Sequence, residues 1–69
     1  MKIKKFYANG SSVTISFETE AEAVAHFNQE RKQLEGYMSE PWTLEADEDS
    51  FTVLDGAEVE YQVVLLKQQ

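Results

Sequence analysis

The chain reads as an α+β domain of order β-β-α-β-β-β, a five-stranded antiparallel sheet with one helix packed on one face. Three observations predict it. Residues 12–17 and 42–46 alternate polar and apolar, the period of a half-buried strand. Between Thr19 and Gly36 the apolar residues recur at helical spacing. Asn9-Gly10 and Asp55-Gly56 are hairpin turn signals.

The first hairpin is KIKKFYANGSSVTISFE. A two-residue Asn-Gly loop would set Ile3 opposite Ser16 and waste it on the polar face. A three-residue loop, Ala8 to Gly10, pairs Ile3 with Ile15 and Tyr7 with Ser11. Ile3, Tyr7, Val13, Ile15 and Phe17 then share one face, and a slip of one residue would flip them all. This loop needs Gly10 left-handed, in a bulge.

The helix begins at a capping box, Thr19 with Glu22. Glu20 and Glu22 lie where the helix dipole favours anions. Ala21, Val24, Phe27 and Leu34 form the apolar stripe, and the Arg31 stem fills its gap. Gly36 is read as the stop.

Pro41 biases Glu40 towards extended geometry and opens the third strand. There Trp42, Leu44 and Ala46 face the core. A four-residue loop, Asp47 to Ser50, pairs Ala46 with Phe51. The next loop is read as Leu54-Asp55-Gly56, which pairs Val53 with Ala57 and Phe51 with Val59. Val59, Tyr61, Val63 and Leu65 then point inward. The last strand is the longest and belongs in the centre, giving strand order 2-1-5-4-3.

The 69 residues make one domain, 1–69. A chain this short buries only roughly 60% of its unfolded surface. It has no cysteine, so disulfides and thiolate metal sites are both excluded. That leaves oligomerisation as the remaining support. The start, MKIKKFYANG, has no long apolar run behind its lysines, so neither a secretory signal nor a membrane anchor is expected. Together these features point to the cytoplasm.

Charge is unevenly placed. The net charge is −7, and nine acids but no base lie between Gln33 and Leu66. Such a surface disfavours direct contact with nucleic acid or anionic membrane and suits a partner with a basic surface. Much of the acid is the solvated half of the strand pattern: Glu45, Asp47, Glu58 and Glu60 alternate with core positions.

No catalytic set, cofactor site or metal site is expected. His26 is the only histidine, and helical neighbours at four residues are commonplace. The tip DEDS, 47–50, lacks the sixth-position glycine of a calcium loop, because Thr52 stands there. No glycine-rich phosphate loop exists.

QVVLLK breaks the alternation. If Val63 and Leu65 face the helix, Val64 and Leu66 face away, with Phe6 beside them. Exposed apolar groups on a polar face mark a contact surface. The expectation is therefore a small acidic interaction module, accessory or regulatory, that binds a protein. It should also form a homodimer through the helix-free face. Its partner-binding residues would be Phe6, Val64 and Leu66, with Glu45, Asp47, Glu58 and Glu60. In such a dimer Glu58 and Glu60 would repel unless Lys2, Lys4 or Lys67 crosses over. The alternative is a nucleic-acid mimic that occludes a basic protein, which needs those acids in rows.

Overall fold

The computed structural model describes residues 1–66; Lys67 lies outside them. Its elements are β1 (Lys2–Tyr7), β2 (Ser12–Ser16), α1 (Glu20–Tyr37), β3 (Trp42–Ala46), β4 (Ser50–Asp55) and β5 (Glu58–Leu66). The strands form one antiparallel sheet, β2-β1-β5-β4-β3, and α1 packs on β1 and β5. Order and arrangement are those the sequence predicts.

The first hairpin has the predicted register, with Ile3 opposite Ile15. Tyr7 N–H donates to Ser11 O at 3.0 Å, and Gly10 N–H to Tyr7 O at 3.0 Å. Gly10 has φ +89°. The third and fourth strands also keep their predicted register, with Ala46 opposite Phe51.

The last hairpin differs. Asp55 pairs with Glu58, so the loop is two residues, Gly56 and Ala57, with Gly56 at φ +63°. Phe51 faces Val63 and Val53 faces Tyr61, not Val59 and Ala57. A two-residue loop alone would send Glu60 into the core. A register shift between Val53 and Leu54 prevents this: Leu54 pairs with Val59, and Tyr61 is the next partner. The bulge absorbs one residue of β5 and restores Tyr61, Val63 and Leu65 to the helix side. Its consequence is that Val59 joins Leu54 on the outer face, 52% exposed, and is not core.

The helix also differs in phase. Ala23 is fully buried and Ala21 is exposed. Ala23 stands four residues before Phe27 and shares its face; Ala21 stands six before it and does not. Thr19 is the N-cap, its hydroxyl accepting from Glu22 N–H at 3.2 Å. Gly36 lies inside the last turn and is not the stop. Met38 leaves the helix in extended geometry, while its N–H still reaches Glu35 O.

Ile3, Ala23, Phe27, Phe51, Val63 and Leu65 form the core. Phe27 and Phe51 stack with ring centroids 5.3 Å apart. Tyr7, Val13 and Trp42 were expected inside, yet are 41%, 47% and 39% exposed. Register puts them on the helix side, but one helix about 10 Å across cannot roof five strands at about 4.8 Å spacing.

The two left-handed glycines carry a testable consequence. A Cβ at Gly10 or Gly56 meets nothing within 4 Å, so substitution acts on the backbone alone. Gly10→Val and Gly56→Val should each cost about 1–2 kcal/mol. Asn at either position should cost less, because its side chain tolerates that conformation. Denaturant melts of all four variants measure the difference.

Candidate protein-binding face

The face of the sheet away from α1 follows from the register. Ile3, Val13, Phe51, Val53 and Val63 fill the helix side, so their neighbours along each strand point outward. Four outward rows result. Ser16, Lys2 and Leu66 make one; Thr14, Lys4, Val64 and Ser50 make the next. Ser12, Phe6, Gln62, Thr52 and Glu45 make the third. Thr43, Leu54 and Val59 make the last.

Phe6 is 36% exposed and Leu66 38%, with Val59 more open still. Val64, along β5 from Leu66, and Leu54, beside Val59 on β4, are half-buried. Lys4 lays its ammonium 5.1 Å from the centroid of the Phe6 ring, a cation–π contact that holds this side chain flat on the face. The face carries Lys2, Lys4 and Glu45 as its only charged positions in these rows. These rows thus carry two bases and one acid, in a chain whose net charge is −7.

The structure gathers Phe6, Val64, Leu66 and Glu45 on this one face. The other three acids lie elsewhere. Asp47 sits in the β3–β4 turn, where its N–H donates to Ser50 O at 2.8 Å and its carboxylate accepts from Glu48 N–H at 3.1 Å. Glu58 pairs with Asp55, in register with Trp42, at the end of the opposite face. Glu60 lies at the bulge. Register thus divides the acids between two faces and a turn. Val59 is the residue that sequence reasoning missed here. Its exposure follows from the bulge, for which the local sequence carries no mark.

A polar cluster lies between sheet and helix. Lys5 stands on the helix side of β1, because Ile3 does. Its ammonium is 3.0 Å from Glu30 Oε1. Tyr61 O–H donates to Glu30 Oε2 at 2.5 Å. His26 Nε2 is 3.5 Å from the Lys5 ammonium and 3.8 Å from Glu30 Oε1, and the ring packs on Phe17. Burial, then the Glu30 hydrogen bond, pushes the Tyr61 hydroxyl well above the ordinary tyrosine range.

Lys5, His26, Gln29, Glu30 and Gln33 line a depression of about 300 Å³. Both polar contacts of His26 fall on one nitrogen, whereas a general base needs its second nitrogen held. Lys5 and Glu30 are ion-paired, although Glu30 Oε1 is buried without a hydrogen-bond partner, and the cluster reads as structural. The signal for it was present in the sequence: a lysine at an inward strand position needs an acid from the covering helix.

Among the described residues no group of three His, Cys, Asp or Glu side chains converges as a metal site would. No helix among the described residues is long and apolar enough to cross a membrane. The class defined is thus a helix-on-sheet domain whose free sheet face sets five apolar side chains, Phe6, Leu54, Val59, Val64 and Leu66, among polar ones. No protein-family model, curated protein or solved structure matches the chain.

Proposed function

We propose that this chain is a non-enzymatic interaction module, an accessory or regulatory protein of the cytoplasm, that binds a folded protein on its helix-free sheet face. One observation carries the reading: Phe6, Val59 and Leu66 stand 36–52% exposed on a single face, with Val64 next to Leu66 along β5 and Leu54 beside Val59. Full burial of an exposed apolar side chain stabilises by roughly 1.5–3 kcal/mol, and these five part-covered residues each contribute a fraction of that to an interface. Glu45 lies on this face and Asp47 at the turn beyond it. A complementary partner presents an apolar patch bordered on that side by lysine or arginine. The mimic reading draws less support, because it needs the four acids in rows on one surface.

The test is capture from native lysate with the parent chain and two variants. Phe6→Thr with Leu66→Thr should lose the captured protein, since threonine keeps strand propensity but removes the apolar contact. Tyr37→Ser, an 82% exposed site at the end of the helix, should retain it. Equal capture by all three, with matching melts, would refute the reading.

A further inference from the structure

We propose that two copies of this chain pair through the free edge of β2, extending both sheets into one. The sheet ends at β2, whose only strand neighbour among the described residues is β1. Tyr7 N–H bonds Ser11 O at one end of this pair, and Phe17 N–H bonds Met1 O at 2.9 Å at the other. Bonded and non-bonded pairs alternate along an antiparallel ladder. Val13 and Ile15 therefore spend their main-chain groups on Lys5 and Ile3. Ser12, Thr14 and Ser16 turn theirs to the open side, and all three residues are exposed.

Edge strands are normally blunted by charge, proline or a bulge. The strand β2, Ser12-Val13-Thr14-Ile15-Ser16, has no charged residue and no proline, and its pairing with β1 shows no register shift. The opposite edge, β3, starts beside Pro41 and carries Glu45.

The occupant is a second copy because β2 is close to a palindrome in chemistry. An antiparallel twofold centred on Thr14 sets Ser12 against Ser16 of the other copy, Val13 against Ile15, and Thr14 against itself. Each serine and threonine pair then exchanges both main-chain bonds that the edge leaves open. Cross-strand Thr–Thr and aliphatic pairs are favourable partners. The axis stands perpendicular to the sheet, so both helices stay on one side. Val13, 47% exposed at the margin of its own core, gains an aliphatic neighbour.

Charge permits the approach. The acidic β3–β4 turn lies three strands from β2, roughly 14 Å at sheet spacing. That exceeds the Debye length of about 8 Å at physiological salt. The two outer faces become one continuous surface, which doubles the proposed docking area. The pairing itself does not depend on that docking.

The experiment is light scattering on a sizing column at micromolar to millimolar concentration. The parent should approach twice the 7.9 kDa of one chain. Thr14→Lys and Thr14→Glu should each remain at one chain mass, because like charges meet on the axis. Mixing those two variants in equal amounts should restore the doubled mass. Thr43→Lys, on the same face at the other edge, should dimerise like the parent. A parent that stays at one chain mass throughout overturns the inference and leaves the docking reading intact. So does a dimer that survives Thr14→Lys but is lost in Phe6→Thr with Leu66→Thr, which would place self-association on the face.

Discussion

Phe27→Ala should destabilise the fold by about 3–5 kcal/mol. Phe27 is 2% exposed and stacks on Phe51, itself fully buried. It is the one large side chain that α1 buries completely, since the other buried helix residue is Ala23. Truncation removes both its transfer free energy and the ring contact, and leaves a cavity between helix and sheet. Globular domains hold roughly 0.05–0.15 kcal/mol per residue, so a chain of this size has about 3–10 kcal/mol in total. The variant should be largely unfolded at 37 °C without a partner. A denaturant midpoint within about 1 kcal/mol of the parent would show that the helix is not sealing the core.

Glu30→Ala should have the next largest effect, a loss of about 2–3 kcal/mol. It strips the acceptor from two groups together, the Lys5 ammonium and the Tyr61 hydroxyl. Full burial would make the cost higher, but Lys5 and Glu30 keep 13% and 22% of their side-chain exposure, and water recovers part of the loss. Glu30→Gln should fall between, because its carbonyl still accepts from Tyr61.

Tyr61 adds a pH dependence with a defined sign. Its folded pKa is raised above the unfolded value of 10.0, first by burial and then by Glu30. Below that pH both states hold the proton, and stability is unaffected. Above it the unfolded chain loses the proton first and stability falls, by about 1.4 kcal/mol per pH unit. Tyr61→Phe should remove this contribution, so its melting temperature should decline less than the parent's between pH 10 and 11.5. Parallel declines would contradict the buried hydrogen bond.

What the sequence made legible is the part where facing decides register. In the first hairpin, only one loop length keeps Ile3 beside Ile15, and a glycine stood where that loop needs positive φ. In the last hairpin, facing along an unbroken ladder favours a three-residue loop, whereas the chain combines a shorter loop with a bulge. Two compensating irregularities leave Tyr61, Val63 and Leu65 on the predicted face, so facing alone cannot find them.

Alanine marks a helix stripe weakly, so Ala21 and Ala23 are hard to tell apart from sequence; Phe27 fixes the phase, and the burial of Ala23 follows from it. On the candidate face, the break at Val64 and Leu66 was readable as sequence, and Phe6 followed from strand order. Val59 was hidden by the bulge. Alternation groups Glu45, Asp47, Glu58 and Glu60 as outward positions, but the observed register shows that Glu58 lies on the opposite face from Glu45.

The claim that the helix-free face is the docking surface is tested most directly by methyl NMR on the labelled chain, titrated with the captured partner. The account predicts shifts or broadening at Leu54, Val59, Val64 and Leu66, with little change at Ala25, whose exposed methyl lies on the helix. Perturbation concentrated at Ala25 and Ala21, with the four sheet-face residues unmoved, would contradict it.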